Sequence, residues 1–126
     1  MAITTDSNTI VAGATDLGST GAVVVWTYNS GTSTYDLHPS SPLTHAGTST
    51  SSFALTGLCI SDDGTIWAGD MGSKTVVAFA LSGTSYSYSA SLSVGAVAGA
   101  TSEFPSLIRV TPDGTVLVVS DDAYRT

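Results

Sequence analysis

Acidic side chains recur along this chain where its apolar runs give out. Asp16 follows Ile10-Val11-Ala12-Gly13-Ala14, Asp70 follows Ile66-Trp67-Ala68-Gly69, and Asp121 with Asp122 follows Val116-Leu117-Val118-Val119-Ser120. Carboxylates gathered on neighbouring loops, together with backbone carbonyls, supply the roughly six to eight oxygens that a hard cation such as Ca2+ takes. That chemistry makes Asp16, Asp70, Asp121 and Asp122 the candidate ligand- or cation-binding residues. The plainer role for the same residues is to cap loop amides, as aspartate commonly does in turns. No Asp-x-Asp-x-Asp-Gly loop is present. His38 and His45 flank Pro39 and Pro42, with Asp36 nearby. Their spacing is irregular, and they read as part of a solvated loop, because a metal site needs about three or four convergent ligands. Glu103 is an isolated acid beside Phe104 and Pro105. Cys59 lies on a short apolar run with no histidine placed to activate it, and reads as a small buried hydrophobe rather than a nucleophile. No catalytic residue is assigned.

The elements that carry these residues repeat. Asp6-Ser7-Asn8-Thr9-Ile10-Val11-Ala12-Gly13 returns as Asp62-Asp63-Gly64-Thr65-Ile66-Trp67-Ala68-Gly69, and more loosely as Pro112-Asp113-Gly114-Thr115-Val116-Leu117-Val118-Val119. From Thr9 to Thr65 to Thr115 the spacings are 56 and 50 residues, a period that marks a repeat architecture. Apolar runs follow at Ala22–Tyr28 and Thr75–Leu81, each leading into the same tetrapeptide, Ser30-Gly31-Thr32-Ser33 and Ser82-Gly83-Thr84-Ser85. Trp26 and Phe79 hold one repeat position, and Phe53 and Phe104 another, which predicts core packing between successive units.

Each unit reads as four antiparallel strands. The first strand (Ala2–Thr5, Leu58–Ser61, Leu107–Thr111) meets a tight turn carrying Asp with Gly or Asn, whose tolerance of positive φ predicts a primed hairpin turn. The second is Thr9–Ala14, Thr65–Gly69 and Thr115–Ser120, and the third is the Val-rich run. A fourth, with alternating Tyr86-Ser87-Tyr88-Ser89, reads as an outer strand with one wet face. Connectors run over Thr44–Thr56 and Val94–Ser106. Composition agrees: 42% hydrophobic and only 10% charged, with a single glutamate and a single lysine, Lys74. Val, Ile, Thr, Tyr and Trp suit a pleated, half-buried surface, and helix is expected to be nearly absent.

Four antiparallel strands per unit is the make-up of a propeller blade. Gly57–Ser73, from Gly57-Leu58-Cys59-Ile60-Ser61 through Asp62-Asp63-Gly64 and Ile66-Trp67-Ala68-Gly69-Asp70, resembles a blade of the NHL and SMP-30/gluconolactonase-like propellers. Leu107–Arg125 is similar, with Asp121 near the blade aspartate and Arg125 near the basic position after it. Thr9–Trp26 is more similar to an FG-GAP-type, integrin-like blade. The resemblance implies an all-β chain of about two and a half four-stranded antiparallel β-propeller blades. The domain expected is one partial propeller over residues 1–126, with units of about 1–53, 54–104 and 105–126. Strand counts of four, four and two predict a segment of a larger propeller, the remaining blades coming from the same or another chain.

Charge and composition narrow the function classes. The net charge is −7, and Lys74, Arg109 and Arg125 are the only basic residues, so a phosphate backbone would be repelled and no nucleic-acid partner is expected. No apolar run approaches the ~20 residues of a membrane span. Met1–Thr5 has neither the basic region nor the apolar core of a signal peptide. Low charge with abundant Ser and Thr predicts an extracellular or cell-surface setting. The function expected is a non-catalytic recognition or structural module that binds protein or glycan through its loops, with no cofactor unless the aspartates hold Ca2+. The alternative is a fragment of a lactonase or hydrolase propeller with a metal in its channel.

Overall fold

Short runs rich in Val, Ile and Thr, with turn residues at the breaks, leave this chain little but strand to form. A computed structural model describes residues 1–14, 21–44, 55–70, 73–93 and 105–121. Among them are ten strands and no helix. They are β1 (Ala2–Ile3), β2 (Thr9–Ala14), β3 (Ala22–Asn29), β4 (Thr34–Leu37), β5 (Leu55–Ile60), β6 (Ile66–Asp70), β7 (Thr75–Ser82), β8 (Ser85–Ser93), β9 (Pro105–Val110) and β10 (Leu117–Asp121). They pair in chain order as two four-stranded antiparallel meanders, β1-β2-β3-β4 and β5-β6-β7-β8, and one hairpin, β9-β10. The expected second strand Thr9–Ala14 is reproduced residue for residue. β5 and β9 begin at Leu55 and Pro105, inside what the sequence reads as connectors, because backbone pairing there does not depend on an apolar pattern.

The register turns the sequence repeat into a structural one. Ile3 pairs with Ile10, Ile60 with Ile66, and Val110 with Leu117, which makes the three first hairpins equivalent. Trp26 and Phe79 pair with Ile10 and Ile66, so they do share one position. Tyr35 and Tyr86 share another, opposite Tyr28 and Leu81.

The three sheets stack through two apolar layers. Val11, Val23 and Val25 of the first sheet meet Leu58, Ile60, Ile66, Ala68, Val77, Phe79 and Tyr86 of the second, with Leu43 between. Odd and even positions then part company, as a pleated strand requires. Cys59 and Val76, with Trp67 packed against them, face the other way and meet Ile108, Val110, Leu117 and Val119 of the β9-β10 hairpin. The second sheet is thus apolar on both faces. Phe79 and Ile66 are almost wholly buried, each such side chain stabilising the stack by about 1.5–3 kcal/mol. At the exposed Gly13 a Cβ would sit 1.9 Å from Leu55 Cδ2, so a side chain there would have to turn the tip of the half-buried Leu55 aside.

The first hairpins turn differently from the primed form predicted. Ser7 N donates to Thr4 O at 2.9 Å, Gly64 N to Ser61 O at 3.0 Å and Gly114 N to Thr111 O at 2.8 Å. The donor alone in each case has positive φ, at 60°, 87° and 74°. That is the pattern of a type I turn closed by one left-handed residue. Pro112, at the second turn position, has its φ preset for it. The correct superposition therefore sets Asp6 on Asp63 and Asp113, not on Asp62, and the return of the second turn is one residue shorter than the others.

Strand β8 is wetter than expected, with Tyr86 its one buried residue. β4 is followed by a segment that extends the same sheet edge. Ser41 Oγ accepts from Val25 N at 2.9 Å and donates to Val25 O at 3.1 Å, and Leu43 bridges to Val23.

Candidate functional site

The four carboxylates singled out by the sequence do not form a described cluster. Asp16 and Asp122 lie outside the described residues. Asp70 ends β6 and Asp121 ends β10, and the register makes them equivalent, since each lies four residues beyond Ile66 and Leu117. Ala14 holds that position in the first sheet, so Asp16 is two residues out of step. Asp70 is buried, and its Oδ2 accepts a hydrogen bond from Ser73 Oγ at 2.6 Å, which in turn lies 2.6 Å from Thr75 Oγ1. It holds the hydroxyl of Ser73, just before β7, a bond of the kind aspartates beside turns commonly make. Among the described residues no three of His, Cys, Asp or Glu gather as metal ligands.

A different set of aspartates is brought into one pattern, at the opposite ends of the strands. Asp6 Oδ1 accepts from Thr4 Oγ1 at 2.7 Å and from Asn8 N at 2.9 Å. Asp63 Oδ1 accepts from Ser61 Oγ at 2.5 Å and from Thr65 N at 2.9 Å. Asp113 Oδ1 accepts from Thr111 Oγ1 at 2.5 Å and from Thr115 N at 3.1 Å. In each case the hydroxyl two residues before and the amide two residues after hold one carboxylate oxygen. Those hydroxyl bonds first, and the amide bonds next, hold all three carboxyls below the ordinary aspartate value by favouring the charged form. The sequence carries the signal as Thr/Ser-x-Asp, which falls one residue out of step in the second unit when the second strands are matched.

Asp62, freed from that role, links the turns of separate sheets. Its carboxylate accepts from Thr5 N at 3.0 Å and Thr5 Oγ1 at 2.6 Å, and its own N–H donates to Pro112 O at 2.7 Å. One line of hydrogen bonds thus runs across all three first turns. The edge they make is exposed and acidic, and its carboxylates already have partners within the chain.

Two further expectations meet the structure here. Cys59 is buried as read, and burial pushes its thiol up to about 11 against the opposing pull of Arg109. A thiol held so strongly protonated is a poor nucleophile. His38, read as solvated, is buried instead; His45 lies outside the described residues. The His38 ring meets Tyr86 edge-to-face at 5.0 Å, and its Nδ1 accepts from Ser40 N at 3.1 Å. Ser40 Oγ in turn accepts from Tyr86 N at 3.1 Å. The loop after β4 folds against β8, and a histidine with an apolar ring and a local donor suits that seam.

No family model matches this chain, and no curated protein matches it.

Proposed function

We propose that this chain is a non-catalytic recognition or structural module of β-propeller type, extracellular or surface-associated, which binds a protein or a glycan through its loops. The observation that carries this reading is the repeat in register: four-stranded antiparallel meanders in which Ile10, Ala12, Val24 and Trp26 recur as Ile66, Ala68, Val77 and Phe79. Stacked four-stranded units are how propellers distribute their core, and such units present their turns along common edges. The turns described here spend their carboxylates on their own amides and hydroxyls. With the protons of Thr5, Thr65 and Thr115 committed to those carboxylates, the edge offers acceptor oxygens, suited to a partner that donates hydrogen bonds. Low charge and abundant Ser and Thr support the surface setting. Residues 1–126 form one partial domain in this reading.

The test applies the intact protein to an array of glycans and to immobilised surface proteins, alongside ester and lactone hydrolysis assays with and without Ca2+. Saturable binding without turnover is expected. Metal-dependent turnover of an ester or lactone would replace this reading with the channel-metal hydrolase.

A further inference from the structure

The outward face of the first sheet carries the same side chains as a face that the stack buries. Ile3, Ile10, Ala12, Val24, Trp26 and Tyr35 stand, position for position, where Ile60, Ile66, Ala68, Val77, Phe79 and Tyr86 stand in the second sheet. In the second sheet every one of the six is buried, against the first sheet. In the first sheet none is: Ile3 is 50% exposed, Tyr35 39%, and the other four are half-buried. Even the tyrosine geometry recurs. Tyr35 Oη donates to Ser7 O at 2.5 Å, and Tyr86 Oη lies 3.6 Å from where a Cβ would stand on Gly64, the equivalent turn residue.

The other end of the stack offers the complementary face. The outward side of β9-β10 presents Leu107 and Val118, 49% and 59% exposed, on either side of Arg109. Val118 occupies the register position of Val11 and Trp67, both of which pack against the next sheet. The stack therefore has a direction. Each sheet receives its successor on one face and offers the other to its predecessor, so the two free faces are complements rather than copies.

We propose that the Ile10/Trp26 face of the first sheet is a docking surface for a second copy of this chain, which seats the Leu107/Val118 face of its β9-β10 hairpin there. Such contact is head-to-tail and repeats until a ring closes or a filament grows. Apolar area carries it. The line of turn bonds cannot continue across the junction as it does at Asp62, because Pro112 has no N–H to donate. The inference adds a partner to the proposed recognition module, but rests on the sheet stack alone and not on any loop ligand.

The experiment is sedimentation and light scattering of the full chain over a concentration series, with Trp26→Glu, Val118→Glu and their mixture. Wild type is expected to associate, raising the mean mass about twofold or more. Each variant alone has one spoiled face and stays monomeric. Their equimolar mixture forms a one-to-one dimer and stops, because one intact face of each kind remains. If either variant fails to melt cooperatively, Ile3→Glu and Leu107→Glu, at exposed positions of the same two faces, take its place. A wild-type chain that is monomeric throughout overturns the proposal. So does self-association of Val118→Glu, which would mean face-to-same-face docking, or a mixture that does not dimerise. A monomer that binds glycan loses this inference and keeps the recognition module; an oligomer that turns over lactones does the reverse.

Discussion

The first and second sheets present nearly one set of side chains on equivalent faces, yet Phe79 is 2% exposed while Trp26 remains half-buried. The difference lies in what covers each. The second sheet is flanked on both sides, by Val11, Val23 and Val25 on one face and by Ile108 on the other, and the first is flanked on one. Equivalent residues at equivalent register therefore contribute differently to stability. The same lesson recurs on a smaller scale in the repeated tetrapeptide. Ser82-Gly83-Thr84-Ser85 makes a two-residue hairpin, with Ser82 paired to Ser85 and positive φ, 60°, at Gly83 alone, the form of a type II′ turn. Ser30-Gly31-Thr32-Ser33 is instead a four-residue loop between the paired Asn29 and Thr34, and its positive φ, 57°, falls on Ser33. The residue before decides: Asn29 Oδ1 accepts from Gly31 N at 3.0 Å and its Nδ2 donates to Asp36 Oδ2 at 2.7 Å, bonds that Leu81, before the second tetrapeptide, has no side-chain amide to make.

The sharpest way to break the comparison is to empty both faces. Phe79→Ala should cost about 3–5 kcal/mol in denaturant unfolding, as large core truncations do. Trp26→Ala should cost about 1 kcal/mol in the monomer, the ordinary size for a half-covered site; equal costs would mean that the two faces are equally covered. Gly13→Ala, whose Cβ must turn the half-buried Leu55 tip aside, should lower stability by less than about 1 kcal/mol, read from the shift in the urea midpoint.

Smaller effects divide the turns. Gly83→Ala keeps open space around the new Cβ but places it at positive φ, and should cost about 1 kcal/mol. Gly31→Ala, whose φ is not positive, should stay within about 0.5 kcal/mol of wild type. Thermal melting of the pair would show whether one tetrapeptide has two turn geometries. Ser7→Gly should stabilise by about 0.5–1 kcal/mol, since Gly64 and Gly114 hold the equivalent left-handed position without a side chain to strain.

The least effect is tied to pH. The Asp63 carboxyl is held below its ordinary 3.8, first by Ser61 and then by the Thr65 amide. A depressed folded value contributes stability that is fully present above the unfolded value and lost as pH falls through the folded one. Ser61→Ala should therefore destabilise at neutral pH, and that deficit should shrink below pH 3.8. A pH-independent deficit in unfolding titrations would remove the carboxylate from the account.

Much of the architecture is legible in the sequence, because strand-forming runs and turn residues are local properties. β2 is recovered over Thr9–Ala14, and the equivalence of Trp26 with Phe79 follows from the repeat. The turn aspartates were less legible. The return of the second turn is a residue shorter, and an alignment that matches Ile10 with Ile66 must misplace Asp63. His38 reads as wet because its neighbours are prolines and serines, and what buries it is Tyr86, 48 residues further on.

Chain chemistry alone determined the all-β class, the repeated four-strand meander and the acidic, amide-holding character of the turns, since alternation, Val and Thr content and Asp at turns act within a few residues. Tertiary structure alone decided which apolar face is covered and that Asp62 reaches across to Thr5. Those outcomes depend on what packs alongside, and a strand's pattern specifies that it needs a partner without specifying which one arrives.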